Sequence, residues 1–311
     1  MTAVVEIIQL NDRSLSQALY DSTLELLNEA IQRTTSKDAH SIESVHRELV
    51  IMKKLRGHQQ LIRPLIPERS LGYANQRIKK AANLLSGQRD KDVLMKTHLK
   101  LVKKSKNKKT TKSLNALKVH LDEVRVEDTP RIAWSKVRSP IKVEQAFWTR
   151  QFEKRPLKAD DYLIQGLAST YEKARNRFKS AYKDKDRNRY HDWRKWTKYL
   201  MCQFEFFSDQ GERKHRKHIK ALTQLGKFLG NHQDLQIYRK YIHQVSAHDF
   251  SSDQLARCDV LIRQNEKALE SKCKKIGNQW FREKPSQFEK RMWKKCLSKK
   301  EIPASMPSFN K

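Results

Sequence analysis

From His191 to Leu200 the chain reads His-Asp-Trp-Arg-Lys-Trp-Thr-Lys-Tyr-Leu, and this stretch sorts by face when wound as a helix. With His191 at zero and about 100° per residue, Arg194 falls near −60°, Lys195 near +40° and Lys198 near −20°. Trp193, Trp196, Leu200, Phe204 and Phe207 fall between about 140° and 220°. One side is cationic and the other is a core stripe. An earlier segment repeats the plan: Val45-His46-Arg47-Glu48-Leu49-Val50-Ile51-Met52-Lys53-Lys54-Leu55-Arg56.

Composition sets the class of partner. The 311 residues hold 66 Lys and Arg against 35 acids, a formal charge of +31. Such an excess costs self-repulsion in a compact chain, and a polyanion is its natural counterpart. Nucleic acid, an anionic surface and a phosphate polymer all qualify. Apolar residues are 37% of the chain but recur with helical periodicity, and Gly and Pro number only eight each, so long helices are expected over many short strands. The opening Met-Thr-Ala-Val-Val-Glu-Ile-Ile has no basic stretch before an apolar core, so no signal peptide is expected. No run of 18 apolar residues is present, so no membrane span is expected either. Cys202, Cys258, Cys273 and Cys296 form no Cys-x-x-Cys pair and read as free thiols of a reducing cytoplasm, with no structural zinc.

The helices expected in the first half are Ser14–Thr34, then one opened by Ser41 and running to Leu61 or Arg63 before Pro64 and Pro67. Leu71–Leu85 and Asp90–Lys103 follow, broken by Ser86-Gly87. Lys103–Lys112, without acid or apolar residue, reads as a mobile linker before a short helix at Leu114–Val124. Ser139-Pro140 marks a second break. Helices are then expected at Val143–Phe152, Ala159–Tyr182, Asp186–Ser208, Arg213–Phe228, Asp234–Val245 and Asp253–Phe281. The chain from 283 to 311 reads as a basic, loosely held tail.

The halves correspond in order. After each histidine helix and its successor comes a small-residue turn with an acid before an apolar pair: Ser86-Gly87-Gln88-Arg89-Asp90-Lys91-Asp92-Val93 and Leu229-Gly230-Asn231-His232-Gln233-Asp234-Leu235. Asp92 follows His46 by 46 residues and Asp234 follows His191 by 43. A repeat of this size predicts an all-α fold of two antiparallel helical bundles, about 12–125 and 140–282, with pseudo-twofold symmetry.

These motifs resemble the conserved histidine α-helical domain, usually written CHAD. His46, Lys53, Lys54 and Arg56 match its first segment, and Arg89-Asp90-Lys91-Asp92-Val93 the turn that goes with it. His191, Arg194, Lys195 and Lys198 match the second, with Gly230-Asn231-His232-Gln233-Asp234-Leu235 as its turn. The likeness spans about residues 12–282. It implies two bundles around a basic groove or pore that binds inorganic polyphosphate without catalysis, in the cytoplasm or at polyphosphate granules. Leu49 and Met201 stand where the family carries Arg, and Lys53 and Lys54 replace Arg by Lys. The charge is kept and the bidentate fork is lost, so a weaker grip is expected from the first half.

The expected site is therefore His46, Lys53, Lys54, Arg56, Arg63, Arg89, His191, Arg194, Lys195, Lys198 and His232, extended by Arg77, Lys80, Lys217 and Lys220 on the helices after each histidine helix. Arg suits phosphate by its planar fork and Lys by point charge, and a groove lined by both needs no metal or cofactor. A lone helical histidine is more often packed than ligand-binding, but recurrence in both halves favours the ligand role for His46 and His191. Asp90, Asp92 and Asp234 read as helix-start residues, not metal ligands. His215 and His218 read as basic surface, and Trp193 and Trp196 as core instead of stacking platforms. Nonspecific nucleic-acid binding on the same basic surface is the alternative function. No P-loop, paired-metal carboxylate set or Glu-x-Glu-x-Lys motif points to an enzyme. Oligomeric state is not legible.

Overall fold

A computed structural model describes residues 14–123, 132–153, 160–183, 188–210, 215–245 and 251–296, excluding the side chains of 86–92, 120, 122–123, 188 and 245. Among the described residues the regular structure is helical throughout. In chain order the helices are α1 (Leu15–Arg33), α2 (Ile42–Leu61), α3 (Glu68–Lys104), α4 (Lys108–Glu123), α5 (Trp134–Glu153), α6 (Asp160–Lys183), α7 (Asn188–Asp209), α8 (Arg216–Val245), α9 (Ser252–Trp280) and α10 (Pro285–Cys296). A 3-10 turn over Arg63–Leu65 joins α2 to α3.

Local chemistry sets several boundaries. Ser14 caps α1 by accepting from the Gln17 amide, and Ser41 caps α2 by accepting from the Ser44 amide. Ser251 and Gln254 form a reciprocal capping box at α9. Asp160 opens α6 where the helix dipole favours an acid, and also accepts from the amide and hydroxyl of Ser16 on α1.

The largest differences from the sequence reading are helices that do not stop. The backbone of α3 is helical through Ser86-Gly87, and α8 through Leu229-Gly230, so neither expected turn exists. Gly costs roughly 1 kcal/mol in a helix interior, and burial outweighs it here. Leu85 and Leu94 on α3, and Leu225, Leu229 and Leu235 on α8, all go into the core. With no helix start there, the helix-starting roles expected of Asp90, Asp92 and Asp234 also fall away.

Only residues 105–107 of the expected lysine linker lie outside a helix; α4 begins at Lys108, anchored by buried Thr110, Ser113 and Leu114. Pro140 lies inside α5, where buried Val137 and Ile141 carry the helix past it. Of the tail expected to hang loosely over 283–311, Pro285–Cys296 instead form α10, which packs on α6 and extends the folded unit to Cys296, while 297–311 lie outside the described residues. Phe288 and Met292, four residues apart, bury that helix's apolar face, and the Phe288 ring stacks on Tyr171 at 3.9 Å.

Each early helix packs against a later one: α2 on α7, α3 on α8 and α4 on α9. One core joins α1, α2, α5–α7 and α10 with the first halves of α3 and α8 and the second half of α9. A second, distal core is built from Leu94 and Leu101 of α3, Leu117 of α4, Tyr238 of α8 and Ile262 of α9. The long helices α3, α8 and α9 therefore run through both.

Candidate functional site: the α2–α7–α8 cation cluster

The α2–α7 crossing is close because Gly57 has no side chain; a Cβ there would stand 3.0 Å from the Cys202 Cβ. This approach brings cations of both helices together. Lys53 and Lys54 of α2 and Lys198 of α7 all act electrostatically on the buried Cys202 thiol, whose pKa burial still pushes up to about 12. Glu205, one turn on, is raised above the usual carboxylate range by burial, against the opposing pull of Lys54 and Lys198.

On its other side α7 lays its cations over small residues of α8. Lys198 lies against Gly226 and Arg194 against Gly230, where a Cβ would meet Lys198 Cε at 3.0 Å and Arg194 Nε at 3.6 Å. The spacing of four on both helices keeps the two pairs in register. Trp193, Leu200, Phe204 and Phe207 are buried on the opposite side of α7, as the helical projection requires.

Arg56 bridges three helices: its guanidinium lies 5.2 Å from the centre of the Tyr199 ring on α7, and its Nε donates to Asn75 Oδ1 of α3 at 2.9 Å. Tyr199 meets Trp196 edge to face, and Trp196 is half-buried and packs against the edge of the core. Two lysines stand over that ring, Lys173 of α6 at 4.8 Å and Lys195 at 5.8 Å. Burial first, then Arg63, lowers the Lys173 pKa to about 8. Lys173 was invisible to spacing, because α6 repeats no motif and only the fold brings it to Trp196. Glu205 and Gly226 were missed as site features for the same reason, and Gly230 was read only as part of a turn.

The other expected residues divide. His46 and His191 are both exposed. His46 lines a cavity of about 400 Å³ with Leu49, Lys96, Lys100 and Asp234, between the start of α2 and the helices α3 and α8. Leu49, standing where an arginine was expected, forms part of its apolar floor. Lys195 pairs with Asp192 at 3.1 Å, and Arg63 with Glu68 at 2.6 Å. Lys80, Lys217 and Lys220 are exposed, and Arg89 lies among the side chains outside the described residues.

Arg77 does not extend the cationic surface. It pairs at 2.7 Å with the fully buried Glu144 of α5, whose other oxygen accepts from Gln59 at 2.7 Å and Trp148 at 3.0 Å. A buried carboxylate demands that partner. His232 is also internal: it stacks on Tyr190 at 4.5 Å and its Nε2 lies 3.1 Å from Glu270. His215 is buried against Phe204 and Phe207, which corrects its reading as basic surface, and half-buried His218 stacks on Phe204. Among the described residues no three His, Cys, Asp or Glu side chains gather to hold a metal ion, and no helix is long and apolar enough to cross a membrane.

The family model for the CHAD domain matches residues 22–243. No curated protein matches the chain. Among solved structures the chain is similar to the crystal structure of the CHAD domain from the plant Ricinus communis, with a TM-score of 0.57 and 18% sequence identity over 86% of this chain and 93% of that one.

Proposed function

Since the chain belongs to the CHAD domain family, we propose that it binds inorganic polyphosphate, without catalysis, at the cations gathered by α2, α7 and α8. The observation that carries this reading is the convergence of Lys53, Lys54 and Lys198 at one helix crossing, with Arg194 one turn along and Arg56 across Tyr199. We read the pairing of α2 with α7, α3 with α8 and α4 with α9 as the pseudo-twofold frame of a basic groove.

Each internal phosphate of the polymer carries about one negative charge and no base to read. Binding is then driven by cations displacing counterions, with steep salt dependence. Glu205 within the cluster limits the mutual repulsion of the lysines when no polymer is bound. The lysine-rich first half and Leu49 make the grip uneven, tighter on the Arg194 side. No bond need break, and a cytoplasmic or granule-associated role follows from the ligand proposed.

Nonspecific nucleic-acid binding is the competing reading, and it rests on net charge alone. Neither tryptophan of the His191 segment is free to stack on a base: Trp193 is buried on the far side of α7, and half-buried Trp196 lies beneath two lysines. Titration of long-chain polyphosphate against duplex DNA and RNA at about 150 mM salt tests the proposal. Polyphosphate is expected to bind tighter; equal or tighter nucleic-acid binding would overturn it. Phosphate release in the presence of Mg²⁺ or Mn²⁺ would overturn the absence of catalysis.

A further inference from the structure

At the far end of the distal core, where α3 turns into α4, a cavity of about 510 Å³ opens against α9. Lys104 and Lys106 line one side and Arg257 of α9 the other, with Gln264 and Asn265 between them; no carboxylate lines it among the described residues. Three cations from two chain segments thus converge there, with no counterion among the described lining residues. The Arg257 Nε is buried and has no hydrogen-bond partner, a costly state that an incoming acceptor would relieve. Asn107 already accepts from the amides of Lys109 and Thr110, so the α4 terminus is capped by its own chain and is not the binding group.

This cavity is connected to the cluster described above. Lys96, Lys100 and Lys104 stand at intervals of four along α3, all exposed, so they form a row on one face about 12 Å long. Lys96 and Lys100 line the His46 cavity, and Lys104 lines the distal one. Lys100 donates to Asn231 of α8 at 3.3 Å, next to the Gly230 over which Arg194 lies. Lys104 donates to Asn265 of α9 at 2.8 Å. The row is therefore tied at one end to the central cations and at the other to the distal cavity.

We propose that the Lys104–Lys106–Arg257 cavity is a second phosphate-binding site, which takes a further segment of the same linear polyphosphate after it leaves the central cluster along the α3 lysine row. This rests on the function proposed above and adds to it a dependence on chain length. A short oligophosphate reaches one site only. A long chain engages both, and the second engagement is intramolecular, so overall affinity rises without any new contact at the first.

The test compares tripolyphosphate with long-chain polyphosphate on the wild-type chain, on K104Q/K106Q, and on V260E, which sets a carboxylate at the exposed cavity rim. Lys104 and Lys106 are exposed, and unchanged thermal unfolding verifies that the variants fold. Long-chain affinity is expected to fall about tenfold or more in both variants, and the salt slope of K104Q/K106Q to flatten by about two charges. Tripolyphosphate affinity is expected to stay within about twofold of wild type, because one of its sites is intact. Long-chain binding unchanged in both variants would overturn the second site. Equal losses for the short and long ligands would also overturn it, since they would reveal a general field effect. Failure of the wild-type chain to bind either ligand better than DNA would remove the proposed function itself.

Discussion

Lys198 on α7 lies over Gly226 on α8 so closely that a Cβ at that glycine would stand 3.0 Å from its Cε and 3.1 Å from its Nζ. The glycine is thus space reserved for a cation, one turn from the looser Arg194–Gly230 pair. Gly226→Ala removes a poor helix former, a gain of up to about 1 kcal/mol, while the flexible lysine end swings aside. Unfolding in urea is expected to be unchanged or slightly harder, with polyphosphate affinity several-fold weaker. Gly230→Ala should act in the same direction and less. Affinity unmoved by Gly226→Ala would separate Lys198 from the ligand.

Gly166 on α6 obeys a different rule, because its neighbour cannot move. A Cβ there would meet the Leu61 carbonyl oxygen at 2.1 Å, and that oxygen is backbone at the end of α2. Gly166→Ala must push α2 and α6 apart, and a loss of about 2 kcal/mol or more is expected, read as a lower urea midpoint at unchanged slope. A wild-type midpoint would contradict this packing.

Arg77 was grouped with the phosphate-binding cations by position alone, and its pairing with Glu144 separates stability from binding. Arg77→Met leaves Glu144 buried with only Gln59 and Trp148, an expected cost of about 3 kcal/mol. Burial already raises the Glu144 pKa, with Arg77 foremost among the groups holding it down, so the cost should grow as pH rises. Adding Glu144→Gln should restore most of the loss. Polyphosphate affinity should stay within about twofold of wild type throughout; a larger fall would return Arg77 to the ligand site.

Helix type and order were legible because face-sorting is a local property: the α7 stripe of Trp193, Leu200, Phe204 and Phe207 is buried as its spacing requires. The breaks were not legible at Ser86-Gly87, Gly230 and Pro140. Local propensity there is outweighed by leucines and isoleucines whose burial depends on helices distant in sequence. Motif matching found Lys53, Lys54 and Lys198, which all act on Cys202 at the α2–α7 crossing, and Arg194, which lies one turn along over Gly230. Helix position added Arg77 and the turn motif added His232, because neither signal carries information about Glu144, 67 residues from Arg77, or Glu270, 38 residues from His232. Lys173 and the distal cavity were missed for the complementary reason: their neighbours are tertiary.

Buried Glu48 and half-buried His218 give the stability a pH profile with opposing limbs. Glu48 of α2 is fully buried with both carboxyl oxygens lacking hydrogen bonds, and burial first raises its pKa to about 8 against the pull of Arg33. A raised folded pKa means that its contribution is complete below the ordinary 4.5 and is lost as pH climbs through 8. His218 is the converse. Burial first, then Arg291 and Lys295 of α10, lower it to about 4, so its contribution is complete above 6.5 and lost as pH falls through 4. From pH 6.5 to 8 only the Glu48 limb acts of the two, and wild type should lose on the order of 2 kcal/mol across it. Glu48→Gln should be nearly flat in that window and keep the acid limb, whereas His218→Phe should weaken the acid limb and keep the alkaline one. Melting temperatures from pH 4 to 9 read both. A Glu48→Gln curve that falls with wild type between pH 6.5 and 8 would show that this carboxyl is ionised in the folded chain, and its burial between α1 and α2 would then have to be held by Arg33 as a formed ion pair.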